Sequence, residues 1–215
     1  MKIKTLVLTL ENSLDRQRHI EVEFGSREFS FFKVTTPEFV PYEGYSLEET
    51  GCAIAHLDML GTVLETDVDF LIVMEDDVTL EDRYDELISN LDEIEAVTNF
   101  DVLLLSTRTY NSYGQRIYKK TGKENQKLNA HNYFLAESMA DYVGTHSYVV
   151  SKKAFNKFYD LRKQNKIAAD SWAVFISLGL RVFHSFPHVT DVNRSFESTI
   201  GHHAPQIAYL DERER

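Results

Sequence analysis

The chain reads as an α/β protein with a mainly parallel central sheet flanked by helices. Three observations predict this. Apolar strand-like runs alternate with helix-like segments through the first half of the chain, an order that favours parallel strands with helices on both faces. The runs Phe70-Leu-Ile-Val-Met74 and Val102-Leu-Leu-Leu105 are apolar throughout, as buried strands are. Helix-start signals, Asn12-Ser13 and Ser46 with Glu49 three residues on, separate the strand-like segments Lys2 to Leu10, Phe29 to Val34 and Phe70 to Met74.

In order along the chain, Lys2 to Leu10 is expected as a buried strand and Leu14 to Phe24 as a charged amphipathic helix. Phe29 to Val34 gives a second strand. A loop with Pro37, Pro41 and Gly44 leads to the capping box at Ser46, from which a helix should run to about Glu65. Phe70 to Met74 is the third strand, Arg83 to Val97 a helix, and Asp101 to Leu105 the fourth strand. Thr107 to Asn132 is polar and reads as a long loop or an irregular hairpin, a length that usually carries function. Gly144 to Ser151 is a further strand, with Ser151 placed to cap a helix over Lys152 to Lys163. A short helix to Leu178 and a strand near Leu180 to Phe186 complete the pattern. No repeat or linker divides the chain, so residues 1–215 are expected to form one domain, with halves at about 1–106 and 107–215.

The 215 residues, 43% of them hydrophobic, suffice for one substantial core. Lys and Arg number 23 against 34 Asp and Glu, a formal charge of -11, which argues against nucleic acid as a partner. A phosphate-bearing ligand would therefore need a local offset, from Arg and Lys side chains or a carboxylate-bound divalent cation. The single cysteine, Cys52, cannot form an internal disulfide. The apolar patch after Lys2 and Lys4 is interrupted by Thr5 and Thr9, and no apolar run approaches the roughly 20 residues that span a bilayer. A cytoplasmic protein is expected.

The third strand runs into Glu75-Asp76-Asp77. In open parallel sheets ligands bind beyond the carboxyl ends of the strands, where these acids should emerge. Adjacent carboxylates are costly unless screened, and Mg²⁺ or Mn²⁺ takes such oxygen ligands. Side-chain alternation would direct Glu75 and Asp77 one way and Asp76 the other. The plainer reading is a solvated acidic turn in which Asp77 or Asp82 caps the following helix.

Order along the chain adds to this. Leu8-Thr-Leu10 with Asp15-Arg16, Gly51-Cys-Ala-Ile-Ala-His56, Glu75-Asp-Asp-Val78, Asp101-Val-Leu-Leu-Leu105 and Gly144-Thr-His-Ser-Tyr148 occur in one sequence order. In these blocks the chain resembles glycosyltransferase family 25, the bacterial lipooligosaccharide galactosyltransferases and their collagen-galactosyltransferase relatives. The resemblance implies a GT-A-like nucleotide-binding fold and inverting transfer of galactose from UDP-galactose to a lipooligosaccharide or lipopolysaccharide core sugar. It implies Mn²⁺ or Mg²⁺ at the diphosphate, with Asp77 and Glu75 as ligands; His202 or His203 would complete the set as C-terminal histidines do in other GT-A enzymes. It also implies donor-site roles for Thr9, Arg16, His56, Glu75 and Asp76. A lipid-linked acceptor would allow peripheral contact with the inner membrane.

An inverting transfer needs a general base, and Asp170 in Ala168-Ala-Asp-Ser-Trp172 falls at the family's Asp after a small apolar pair. Asp170 also suits a helix N-cap, and Trp172 reads as core before it reads as a sugar platform. Arg16 is open to two readings, the diphosphate or surface pairing with Asp15 or Glu21. His56 lies on a stripe with Cys52, Met59 and Val63, where a histidine is usually a satisfied core residue. The His202-His203 pair in the tail reads as solvated before it reads as a metal ligand. Thr9, Ala55 and Ser171 depart from the family pattern, which keeps open a non-enzymatic sugar-nucleotide or cation-binding module. A metal-dependent phosphoryl-transfer enzyme is the other alternative, but no carboxylate nucleophile lies in Leu8-Thr-Leu10.

Overall fold

The computed structural model of the protein describes residues 1–35, 40–106, 108–109, 125–128, 131–135 and 142–196. In chain order its strands are β1 (Ile3–Leu10), β2 (Ser30–Val34), β3 (Phe70–Glu75), β4 (Val78–Leu80), β5 (Val102–Leu104), β6 (Arg108–Thr109), β7 (Asn125–Leu128), β8 (His131–Leu135), β9 (Tyr142–Val143), β10 (Ser147–Ser151), β11 (Val182–Phe186) and β12 (Thr190–Val192). The helices are α1 (Leu14–Phe24), α2 (Leu47–Gly61), α3 (Tyr84–Ser89), α4 (Leu91–Thr98), α5 (Phe155–Asn165) and α6 (Trp172–Ser177).

Eight strands form one sheet in the order β2-β1-β3-β10-β5-β11-β8-β7, so both halves of the chain share it. All but β10 and β8 run in the same direction, which makes the sheet mainly parallel as expected. β10 lies antiparallel between β3 and β5, pairing Ser147 with Met74 and Tyr148 with Leu104. That reversal positions the site, because the residues leading into β10 arrive beside the carboxyl end of β3. There the Glu75 N–H donates to His146 O at 3.0 Å.

Alternation along the strands divides the interior into two cores. On one face Leu6, Leu71, Val73 and Tyr148 pack with Met59 and Leu60 of α2, Phe158 of α5 and Trp172 and Phe175 of α6. On the other, Val7, Phe70, Ile72 and Met74 pack with Ile20 and Phe24 of α1 and with Leu87, Leu91 and Ile94 of α3 and α4. The capping box forms as its spacing predicts. Ser46 Oγ accepts from the Glu49 N–H at 3.1 Å, and Glu49 Oε2 accepts from the Ser46 N–H at 2.8 Å.

Local polar side chains explain where the elements differ from expectation. α2 stops at Gly61 rather than near Glu65, where the Thr62 hydroxyl donates to Met59 O at 2.8 Å. The single helix expected over 83–97 is two helices, broken at Asn90, whose side-chain amide donates to Glu86 O at 2.6 Å. Ser151 does not cap the helix after it. Its hydroxyl donates to Phe100 O at 3.1 Å, and a 3₁₀ turn over Lys152–Ala154 precedes α5. Among the described residues no helix is long and apolar enough to cross a membrane.

His184, on β11 between β5 and β8, is 6% exposed, and its imidazole is pushed down to about 4 by burial and then by the charge of His188. Its folded pKa lies below the ordinary value of 6.5, so the unfolded chain takes up a proton there first. The stability tied to this group is complete above pH 6.5 and is lost as pH falls toward 4. Urea denaturation should show a loss of about 2 kcal/mol from this group between about pH 7 and about pH 5. His184→Gln should flatten that slope.

Candidate active site

Three adjacent acids at one strand end can be tolerated if each is given its own partner, and the layering of the sheet does this. Glu75 is the last residue of β3 and continues the row of Leu71 and Val73, toward α2. Asp76 continues the row of Ile72 and Met74, toward α1. The strand then turns at Asp76-Asp77 before β4.

Asp76 is held by two residues from the first strand-helix unit. Thr9 Oγ1 donates to its Oδ2 at 2.6 Å and Arg16 Nη1 to its Oδ1 at 2.7 Å. The Arg16 and Asp76 side chains are 11% and 10% exposed, so this is a nearly buried ion pair. Asp77 Oδ2 lies 3.8 Å from the same nitrogen of Arg16, and the Asp77 backbone carbonyl accepts from the Asn193 N–H at 2.6 Å. Strict alternation would have grouped Asp77 with Glu75. The turn brings it to Arg16 instead, because the extended backbone ends at Glu75. Arg16 is thus directed at the acids, with its guanidinium 5.0 Å from the Phe196 ring centroid, while Asp15 pairs at the surface with Arg18.

Glu75 meets a different set. Its Oε1 accepts a hydrogen bond from the Thr145 hydroxyl and lies 3.7 Å from His56 Nε2, while Oε2 accepts none from the described residues. His56 is fully buried, and its Nδ1 is 2.8 Å from the Tyr148 hydroxyl, which can donate or accept. Burial pushes the His56 imidazole down, with Glu75 only partly offsetting this. Burial also opposes ionisation of Glu75, but His56 and the Thr145 hydroxyl outweigh it and hold that carboxyl well below the usual range.

Asp170 reaches the same corner through the neighbouring residue. Its Oδ2 accepts from the Gly144 N–H at 3.2 Å, so consecutive residues Gly144 and Thr145 hold Asp170 and Glu75. Gly144 has φ +94, and a Cβ there would stand 2.8 Å from His146 Nδ1, so both conformation and space require glycine. Asp170 is not the N-cap of α6; Ser171 occupies that position. Trp172 is a core side chain with no exposed surface, and its indole N–H donates to Gly144 O at 3.0 Å.

Behind Asp170 lies Arg162, whose Nη2 donates to Ala169 O at 3.0 Å and whose guanidinium sits 4.5 Å from the Phe158 ring centroid and 4.9 Å from that of Phe175. It is 4% exposed, and burial pushes it down from the usual arginine value. Sequence reasoning passes over both Arg162 and Thr145. The signal for Arg162 was a charged residue on the buried stripe of α5, after Phe155 and Phe158. Thr145 lies within the Gly144-Thr-His-Ser-Tyr148 block. His202 lies outside the described residues.

The site thus joins Thr9, Arg16, Glu75, Asp76 and Asp77 with His56, Thr145 and Asp170 at one end of the sheet. The sequence profile of glycosyltransferase family 25 (LPS biosynthesis protein) matches residues 39–173, more than half of the chain. The chain belongs to glycosyltransferase family 25. The region matched in this family 25 member contains Cys52, His56, the acidic triplet, Thr145 and Asp170, but not Thr9 or Arg16.

A Haemophilus influenzae protein named as a candidate glycosyltransferase is 25% identical over 203 residues, covering 86% of this chain; the chain spans 64% of that protein's length. Among solved structures, a glycosyltransferase involved in glycosylation of the PBCV-1 major capsid aligns with TM-score 0.46 and 10% identity, over 86% of this chain and 81% of its own. Galactosyltransferase LgtC, solved with donor and acceptor sugar analogs, aligns with TM-score 0.41 and 12% identity, over 86% and 73%.

Because Arg16 offsets two acids in a nearly buried setting, removing it alone leaves charge uncompensated. Arg16→Met should cost about 3 kcal/mol of stability in the family 25 protein. Combined with Asp76→Asn it should show a coupling energy above about 1 kcal/mol. Urea denaturation of the two single variants and the double variant measures this; strictly additive losses would contradict it.

Proposed function

We propose that this glycosyltransferase moves galactose from UDP-galactose to a sugar of a lipooligosaccharide or lipopolysaccharide core, with inversion at the anomeric carbon. The observation carrying this reading is that Gly144-Thr145 holds Asp170 on one side and Glu75 on the other. A carboxylate able to take a proton is thereby tethered to the acidic strand end. Asp170 Oδ1 accepts no hydrogen bond from the described residues, so it is available to receive the proton of an acceptor hydroxyl. That hydroxyl would attack the sugar from the face opposite the departing UDP.

The strand end suits a hard divalent ion, because Glu75 retains an oxygen that accepts no hydrogen bond from the described residues and Asp77 follows it in the turn. Mn²⁺ or Mg²⁺ held there by Asp77 and Glu75, with His202 as a further ligand, would neutralise charge developing on the leaving diphosphate. The protein residues divide the remaining work. Thr9 and Arg16 fix Asp76, and through the turn they fix where Asp77 stands. His56 is too deeply buried to touch the donor and acts on it by orienting Glu75. The residues at about 1–106 would hold the donor and those at about 107–215 the acceptor. The cytoplasmic face of the inner membrane is the proposed location, since the acceptor would be lipid-linked.

Titration with a panel of nucleotide sugars tests the donor reading. UDP-galactose should bind in the presence of Mn²⁺, lose affinity on chelation, and lose it in Asp77→Ala by at least about tenfold. Binding indifferent to Mn²⁺ and to Asp77→Ala would overturn it. Slow release of UDP from the bound donor would distinguish an enzyme from a module that only binds sugar nucleotides.

Asp170→Asn should keep donor affinity and lose transfer to a core-oligosaccharide acceptor by a factor of about 10² to 10⁴. Loss of donor binding in that variant would refute its role as base.

A further inference from the structure

We propose that Cys52, His56 and Glu75 form a second cation site, distinct in chemistry from the oxygen-lined strand end, that takes a soft or borderline ion of the Zn²⁺ class. Cys52 and His56 stand four residues apart on α2, so they share a face, and Glu75 at the end of β3 meets that face. One ligand atom from each, a thiol sulfur, an imidazole nitrogen and a carboxylate oxygen, lies within 4.8 Å of the other two. That is a short inward movement from the spacing of ligands around a tetrahedral ion, with bonds of about 2.0 to 2.3 Å.

The second observation is independent of the spacing. His56 Nε2 is buried, makes no hydrogen bond with the described residues, and stands 3.7 Å from Glu75 Oε1. A histidine with only a structural role would be expected to satisfy both ring nitrogens, because a buried polar atom without a partner is costly. Here Nδ1 alone is satisfied, at 2.8 Å from the Tyr148 hydroxyl. With an ion at the cluster that hydroxyl can accept from Nδ1–H, which frees the Nε2 lone pair for the metal, the arrangement that orients a metal-bound imidazole.

The donor set decides the class of ion. Thiolate and imidazole favour Zn²⁺ and its neighbours over Mg²⁺ or Mn²⁺, and three protein ligands leave a fourth position for water. Glu75 is also among the acids proposed for the diphosphate-bound ion, so occupancy of this site would compete with donor binding. That consequence rests on the proposed function, whereas the site itself does not.

Because Cys52 is the single cysteine of the chain, cobalt spectroscopy reports on it alone. Metal-free protein of residues 1–215 titrated with Co²⁺ should saturate at one equivalent, with tetrahedral d–d absorption and a thiolate-to-cobalt charge-transfer band in the near ultraviolet. Zn²⁺ should abolish both and excess Mg²⁺ neither. Cys52→Ser should lose the charge-transfer band and bind Zn²⁺ at least about tenfold more weakly in competition with a chromophoric chelator, with its circular dichroism unchanged. Asp77→Ala should leave the cobalt spectrum intact, which separates this site from the proposed donor-site ion.

Absence of the charge-transfer band in the folded wild-type protein would overturn the proposal, as would Zn²⁺ affinity unchanged by Cys52→Ser. Saturation at half an equivalent would overturn it too, since the ion would then bridge the thiolates of two chains. The wild-type measurement needs no variant to fold.

Discussion

The desolvation and mutual repulsion of three successive carboxylates at the end of a buried strand is the constraint that organises this end of the protein. Two such charges a few ångströms apart in a partly buried setting repel by several kcal/mol. The sheet resolves this by direction. The pleat sends Glu75 toward α2 and Asp76 toward α1, and the turn swings Asp77 after Asp76. Each helix then supplies a matching group, Arg16 from α1 and His56 from α2. The partners differ in kind: Asp76 has a full cation and a hydroxyl, while Glu75 has a hydroxyl and an imidazole that burial keeps neutral. Asp76 is therefore the most firmly held of the three, and Glu75 the one whose surroundings leave most to a ligand.

The antiparallel insertion of β10 adds the second constraint. A parallel strand at that position would begin at the opposite edge of the sheet, and the Gly144-Thr145 segment would lie far from the acids. Running the other way, it enters beside Glu75 and brings with it the backbone N–H that holds Asp170. The indole of Trp172 returns to Gly144 O, and Arg162 fastens Ala169 from beneath. The loop bearing Asp170 is therefore pinned at Ala169, Asp170 and Trp172 by groups that are themselves mostly buried. A guanidinium in an aromatic setting is a costly way to hold a backbone carbonyl. Its cost is lowered by the faces of Phe158 and Phe175 and by the charge of Asp170 nearby.

Much of the first half was legible because its signals are local. The capping box at Ser46, the apolar run of β3 and the placement of acids after it each follow from a few neighbouring residues. The second half was less so, because its decisive features are long-range. Nothing in Ser147 to Ser151 states that the strand runs against its neighbours, since direction is set by the path of the chain rather than by the residues within it. The same holds for Arg16. Its helix was correctly expected, but both readings given to its side chain, phosphate and surface pairing, overlooked Asp76, which is 60 residues away. The break at Asn90 and the hydroxyl of Ser151 escape local reading for a different reason. Short polar side chains bond equally well to nearby and to distant carbonyls, and only the packed structure decides which.

Charge balance connects this arrangement to the proposed chemistry. Glu75, Asp76 and Asp77 contribute three negative charges, and Arg16 returns one positive charge, while His56 is kept neutral by burial. The strand end is left with an excess of about two negative charges, within a chain whose formal charge is -11. A diphosphate brought to that corner unaided would be repelled, and Arg16 is already engaged by two acids. A divalent cation is the species whose charge matches the deficit and whose remaining coordination positions can accept phosphate oxygens. On the proposed reading the metal is therefore what makes the acidic strand end a binding site for the donor, and the acids that Arg16 does not fully neutralise are what make it a binding site for the metal.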